Sequence, residues 1–437
     1  KKDRETEYLF KELFPFGGQL DENNRWLKIS RLICWEELEK KYASHFSKIG
    51  RPACDARLVL GLLILKHITN HSDEELTKEL SENIYMQAFC GFEDFKTEES
   101  LHSSTLSNAR ERLGVDFFRE MENFTYKTLI DKKIIIGRGG MLCDATVVPE
   151  KISYPNDVSL LEKCRVKVVG AINKFKDFCE KEYRTYSRTA KNLAVNFSKK
   201  KKKTQETIIV TTKKMLNYLG RNIRQVEDLA SRLFASGKEF IFDELETIKE
   251  IYEQQKQMYK NKIHRTENRI VSITRPYVRP IKRGKSGKDV EFGPKGAFSY
   301  VNGFLFLDYF SHDNFSEGSK NILELQTLNF QKFFGKKPDY ITGDKIYGNK
   351  DNRNYLEENG IRSAFKPLGR KSLLKSASDE RWLKKKHRER NRIEGAFGHA
   401  KEHVGLKPIR YKSKEGSETW IRLGLLGMNL MKAAEMT

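Results

Sequence analysis

Between Arg51 and Gly114 the apolar positions recur at helical spacing. The run from Leu58 to Ile68 predicts a buried helix, and SDEELTKEL follows with Ser72 and Glu75 in the S-x-x-E arrangement that caps a second one. SSTLSNARERLG predicts a third, with Ser103 or Ser104 as N-cap, Gly114 as stop, and Arg110 and Arg112 on its last turn. Such a succession suits either a small all-α domain with solvated arginines or a helix-turn-helix-like unit that grips duplex DNA. At Gly137 the pattern changes. IIIGRGGMLCDATVVPE has the apolar, β-branched density of a buried strand, with Asp144 inside it. From Tyr154 to about Arg275 the chain is again helical and strongly charged. VEFGPKGAFSYVNGFLFLDYFS then predicts a hairpin turning at Asn302-Gly303. A helix (NILELQTLNFQKFFGK), a short strand ending at Asp344 (PDYITGDKIYGN), a further apolar piece (IRSAFKPLG), a basic loop and the helix HRERNRIEGAFGHAK complete the series. With the charged block taken as an insertion, this order predicts a mixed α/β sheet with covering helices.

Charge narrows the partners. The 437 residues, enough for two or three domains, carry 82 Lys plus Arg against 60 Asp plus Glu, a net +22 with a pI near 9.5. Of this excess, +12 lies between Pro155 and Arg275, with 27 basic and 15 acidic residues. The SKKKKKT run at Ser198 to Thr204 reads as a loop tip, because like charges repel. A polyanion is the expected partner and nucleic acid the commonest, since each neutralised phosphate releases counterions. The most apolar run, Leu58 to Leu65, is far short of the roughly 20 residues that span a bilayer, so no membrane partner is expected. KKDRETEYLF lacks the apolar core of a signal peptide, which leads us to expect a cytoplasmic location. Six scattered cysteines without a C-x-x-C are expected to be reduced core residues.

Three carboxylates stand out by position: Asp144 within a strand, Asp344 at the end of another, and Glu394 on a helix. An unpaired charge inside a strand is costly, and a metal ion would relieve it. Mg²⁺ accepts one or two carboxylates from separate elements while keeping several waters. Two such ions roughly 3.5 to 4 Å apart serve in-line phosphoryl transfer, one activating the attacking oxygen and the other stabilising the leaving oxygen. Around Glu394, the spacing of His387, Arg390, Glu394 and Lys401 places all four within roughly a 60° arc of one helix. That stripe is polar where a core-facing stripe would be apolar. The competing reading is a solvated face built from i,i+4 pairs such as Arg390 with Glu394.

With these residues in view the sequence resembles the DDE transposases of bacterial insertion sequences, in the branch whose glutamate lies in Y-x2-R-x3-E-x6-K. Here the stretch reads H-x2-R-x3-E-x6-K, with Arg390, Glu394 and Lys401 matching and His387 in place of the tyrosine. DATVVPEKISYPNDVSLL is similar to the family's D-A-T-V and Y-P-x-D segments, and GDKIYGNKDNR to its D-x2-Y pattern. RPYVRPIKRGKSGKDVEFGPK and RPACDARLVLGLLILKHITNHSDEEL resemble the strand entry and the N-terminal helical domain of one subgroup.

The resemblance implies an α/β chain. Residues 1–135 would be an all-α DNA-binding domain, 136–154 the first strand of a ribonuclease-H-like catalytic domain, 155–275 a basic helical insertion between its first and second strands, and 276–437 the remainder. It implies that Asp144, Asp344 and Glu394 are catalytic and bind two Mg²⁺ ions, with Mn²⁺ able to substitute. His387, Arg390, Lys401, Tyr347, Lys345, Arg110 and Arg112 would contact DNA. The implied activity is cleavage at terminal inverted repeats and joining of the freed 3′-hydroxyls to target DNA, by a homodimer on double-stranded DNA in the bacterial nucleoid. A domesticated, non-catalytic DNA-binding protein and a nuclease without strand transfer are the alternatives.

Overall fold

A computed structural model describes residues 15–437, apart from 19, 48, 50–51, 154–155, 179–180, 264, 283–289 and 368–375. Tyr154 and Pro155 of the Y-P-x-D segment, Cys179, part of the strand entry and the basic loop at 368–375 therefore lie outside the described residues. Two compact units result, one formed by residues 1–150 and 294–437 and the other by Lys151–Gly293.

The first unit begins with helices α1 (Arg25–Ser30), α2 (Trp35–Ala43), α3 (Ala56–Thr69), α4 (Asp73–Glu82), α5 (Ile84–Phe89) and α6 (Ser103–Asp131). Helix α3 is the predicted apolar one, buried from Leu58 to His67, and Asp55 caps it by accepting from the Leu58 N–H. The capping box of α4 is formed as expected: Ser72 Oγ accepts from Glu75 N at 3.1 Å and the Glu75 carboxylate accepts from Ser72 N at 2.8 Å. For α6 the cap is His102, whose ring accepts from Ser104 N, rather than either serine. Gly114, at φ 69°, breaks α6 without ending it.

A five-stranded mixed sheet follows, made of β1 (Gly140–Val147), β4 (Lys295–Val301), β5 (Phe304–Ser311), β6 (Tyr340–Gly343) and β7 (Arg362–Ser363), in the order β5-β4-β1-β6-β7. β4 and β5 form the hairpin, with Asn302 at φ 49° and Gly303 at φ 102°, the left-handed pair that a two-residue turn between right-twisted strands requires. β1 is antiparallel to β4 and parallel to β6, and β6 is parallel to β7. Alternation along β1 divides the core. Met141 and Cys143 face a cluster that includes Leu323 and Phe330 of helix α11 (Lys320–Phe334), as well as Tyr126 and Leu129 of α6. Leu142 faces a second cluster with Ile393, Ala400 and Val404. The helices of residues 1–135 thus share one apolar core with the sheet. Helices α12 (Lys350–Glu358), α13 (Ala377–Glu389), α14 (Asn391–Glu402) and α15 (Lys414–Ala434) complete the unit, and α15 is buried along most of its length.

The second unit is the charged block. Helices α7 (Asp157–Phe175), α8 (Ser187–Lys199), α9 (Gln205–Ala235) and α10 (Leu245–Asn261) pack around Leu161, Leu219, Val226 and Ile251. A two-stranded ribbon, β2 (Pro280–Lys282) with β3 (Val290–Phe292), ends it. Lys200 to Lys203 form the exposed loop between α8 and α9, as the charge run predicts. Cys34, Cys54, Cys90, Cys143 and Cys164 are free thiols. No helix among the described residues is long and apolar enough to cross a membrane.

Candidate active site

The parallel register of β1 and β6 pairs Cys143 with Gly343, so Asp144 and Asp344 are the next residues on neighbouring strands. Gly343 permits this approach, because a Cβ there would lie 2.8 Å from the Cys143 carbonyl oxygen. Asp344 then leaves the strand and caps a 3-10 turn over Lys345–Gly348, its carboxylate accepting from the Lys345 N–H at 2.7 Å. Asp144 shares the Leu142 face of β1, the face on which Ile393 and Ala400 of α14 pack. Helix α14 thereby brings Glu394 to the same side.

Arg390 joins the set. Its guanidinium lies 3.4 Å from Asp344 and 3.1 Å from Glu394, bridging acids that are 50 positions apart. It occupies the junction between α13 and α14, where the hydrogen-bonded helix is interrupted. The single helix expected over 387–401 is therefore two, with His387 on the first and Glu394 and Lys401 on the second. Lys401 reaches back to β1 and donates to Thr146 Oγ1 at 2.8 Å.

Electrostatics follow from this crowding. Burial pushes the Asp144 carboxyl up to about 6; the charges of Glu317 and Asp344 add to the rise, while the Ala145 N–H and Arg390 oppose it. His387 is held below the usual imidazole range by burial and by the charges of Lys366 and Arg390. It is consequently neutral at pH 7, whereas the sequence suggested a charge varying near neutrality. Its Nε2 is buried without a hydrogen-bond partner among the described residues.

A cleft of about 620 Å³ opens beside Asp344, lined by Lys345, Lys366, Lys384, His387, Arg388 and Arg390 together with Phe365, Pro367 and Leu383. Lys366, Lys384 and Arg388 are additions to the predicted set. Lys384 and Arg388 are four apart in KKKHRER, a spacing that already places them on one face of a helix. Thr146 was legible too, two residues beyond Asp144 and so on its face of the strand.

Two of the DNA contacts expected from the resemblance fall elsewhere. Tyr347 is fully buried in the Cys143-side core, and its hydroxyl has no hydrogen-bond partner among the described residues. The turn that starts at Asp344 folds residue 347 back beneath the sheet, with Tyr347 N donating to Asp344 O at 3.0 Å. Arg110 is largely buried, paired with both Asp73 oxygens at 3.1 and 2.6 Å and lying 4.3 Å over the Tyr411 ring. Its charge is spent inside the fold. Arg112 remains exposed, held by Nε to the His45 carbonyl oxygen. Trp382, a candidate for base stacking, packs instead against Arg362 and Tyr340.

Hard oxygen donors on three separate elements suit a divalent cation, and the Arg390 guanidinium already stands between two of them as a positive charge. The acids are connected in pairs: among the described residues no group of three or more His, Cys, Asp or Glu closes around one point.

Comparison with known proteins defines the class. Residues 14–112 match the model described as Transposase domain (DUF772), and residues 341–431, which include Asp344 and Glu394, match Transposase DDE domain. The protein is a transposase-type enzyme that acts on DNA. Over 175 residues it is 30% identical to the uncharacterized protein ORF8 in nfe locus of Rhizobium meliloti, covering 39% of this chain and 81% of that protein. The chain belongs to the DDE transposase family. No solved structure matches it.

Proposed function

We propose that the protein is the transposase of a bacterial insertion sequence, with a ribonuclease-H-like catalytic unit in which Asp144, Asp344 and Glu394 hold two Mg²⁺ ions. It binds terminal inverted repeats, cleaves the phosphodiester at each end and joins the 3′-hydroxyls to target DNA, acting as a homodimer on DNA. The observation that carries this reading is the convergence of the three acids: two on adjacent parallel strands at the Cys143–Gly343 pair, and the third linked to Asp344 through Arg390.

Divalent ions bound there would activate the attacking oxygen and offset charge on the leaving one. The chain's own residues do the rest. Asp144 and Asp344 are fixed by β-ladder hydrogen bonds, so they meet an incoming phosphate without rearrangement. Arg390 loses its carboxylate partners when those acids bind cations, and its planar fork is then available to a phosphate oxygen. Lys401, anchored on Thr146, sets a second positive charge along the same face. Lys345, Lys366, Lys384 and Arg388 extend the positive surface along the cleft, giving the backbone contacts that position DNA without reading its sequence. His387, neutral, offers a ring nitrogen to the strand in place of the family tyrosine's hydroxyl.

The test is cleavage of labelled terminal-repeat DNA, with Mg²⁺ and with EDTA, by wild type and Glu394→Gln. Metal-dependent nicking at the repeat tip, lost in the variant, is the expected result. Tight binding without cleavage in any metal would favour a domesticated DNA-binding protein. Cleavage without joining of a pre-cut end would favour a nuclease.

A further inference from the structure

The connection from β5 to α11 returns over the end of the sheet where the acids stand, and it is fastened at both sides. On one side Lys295, the first residue of β4 and the partner of Val147 in the β1 ladder, donates to Phe315 O at 3.0 Å and lies 3.6 Å from the Glu317 carboxylate. On the other side the Gly318 carbonyl accepts from Asn349 Nδ2 at 2.5 Å and Asn352 Nδ2 at 3.1 Å, both just beyond the Asp344 turn. A Cβ on Gly318 would collide with the Ile346 carbonyl oxygen, so residue 318 must be glycine for the loop to lie this close to that turn. Glu317 is thereby pinned between the β4 end of the Asp144 ladder and the turn that carries Asp344. Its charge bears on Asp144 ahead of that of Asp344. The Glu317 side chain keeps partial exposure, while Lys295 beneath it is mostly buried.

Resting on the reading of Asp144, Asp344 and Glu394 as cation ligands, we propose that Glu317 is a fourth carboxylate of the site, a positioning residue whose charge tightens divalent-cation binding on the Asp144 side. Like charges held this close destabilise the cation-free site, and a divalent cation relieves that repulsion. Lys295 offsets part of the Glu317 charge and so moderates the affinity.

The test is Mn²⁺ binding to the full chain without DNA, followed by electron paramagnetic resonance of the free ion, for wild type, Glu317→Gln, Lys295→Met and Asp144→Asn. Glu317→Gln is expected to weaken Mn²⁺ about 10-fold, the scale seen when an outer partner of a metal site is removed. It should also raise the Mg²⁺ concentration for half-maximal cleavage while leaving the rate at saturating Mg²⁺ near wild type. Lys295→Met is expected to tighten Mn²⁺, an opposite sign that a loop-packing role would not produce and that keeps the proposal testable if Glu317→Gln fails to fold. Wild-type Mn²⁺ affinity in Glu317→Gln with loss in Asp144→Asn overturns the role of Glu317 alone, as does weaker or unchanged binding in Lys295→Met. Wild-type affinity in Asp144→Asn overturns the cation site itself.

Discussion

Two arginine–carboxylate groupings in this unit use the same chemistry for different ends. Arg110 pairs bidentately with Asp73, with 11% and 19% of the side chains exposed, and Lys66 reaches the same carboxylate at 2.7 Å. Arg390 pairs with Asp344 and Glu394 at longer distances, and those two acids are 58% and 49% exposed. The first grouping is closed: one acid meets two cations, and Tyr411 covers the guanidinium. The second is open, with one cation shared by two acids and a third acid beside them. An excess of partly solvated carboxylate around a single arginine is a poor way to hold a fold together and a suitable way to receive a cation.

The sharpest contrast between the two groupings is in activity. Asp144→Asn, Asp344→Asn and Glu394→Gln should each abolish strand cleavage while leaving repeat-end binding and thermal stability close to wild type. Gel-shift and cleavage assays on one labelled end separate the two properties, and a wild-type cleavage rate in any of the three removes that acid from the site. Arg110→Met should do the reverse. Breaking a buried pair typically costs about 3–5 kcal/mol, and the remaining Lys66 contact places this one at about 3 kcal/mol. Urea unfolding should show that loss, with cleavage per folded molecule unchanged.

A second buried acid extends the comparison. Asp308 lies in FLFLDYFS much as Asp144 lies in MLCDATVV, and by sequence the two are equivalent. Asp308 is instead enclosed, its pKa raised to about 7 by burial against the opposing hydrogen bonds of Asn329, Ser299 and Gln326. Unfolded, it would titrate near 3.8, so between about pH 4 and 7 the folded chain holds the extra proton and stability falls as pH rises through that window. Asp308→Asn should match wild type near pH 4 and exceed it at pH 8 by on the order of 3 kcal/mol. Equal stabilities at pH 8 would mean that Asp308 ionises without cost.

These cases mark where the sequence was legible. The capping box at Ser72, the Asn302-Gly303 hairpin and the strand ending at Asp344 are local signals, set by residues a few positions apart, and the fold repeats them. Asp144, Asp344 and Glu394 came from position and family pattern, and their convergence depends on a strand register that no local pattern specifies. Arg110 and Tyr347 misled because a motif gives a residue's type without its surroundings: Asp73 lies 37 positions before Arg110, and the core that encloses Tyr347 is built from several distant elements. Glu317, in a polar loop without periodicity, carried no signal at all. For Tyr347 the burial is testable. Tyr347→Phe removes a hydroxyl without a partner, so stability should hold within about 1 kcal/mol or rise. DNA affinity should not change, and a tenfold loss of affinity would return Tyr347 to the interface.

The smallest effect is expected at His387, where this chain departs from the family's tyrosine. Burial together with Lys366 and Arg390 keeps the imidazole neutral at physiological pH, so it presents the strand with an uncharged polar group, as a tyrosine hydroxyl does. His387→Tyr should therefore keep cleavage within a few-fold of wild type at pH 7.5. The difference should appear on acidification: as pH falls through the lowered pKa the histidine gains a proton and adds a positive charge beside Lys366, Lys384 and Arg388, whereas the tyrosine does not. Affinity for a non-cleavable repeat end should then rise more steeply below pH 6 in wild type than in the variant, and the extra steepness should fade with salt. Parallel pH profiles would show that the proton never reaches His387 and that its ring serves packing between α13 and the floor of the cleft. A large loss of cleavage at pH 7.5 would show that the imidazole has a task the tyrosine cannot perform.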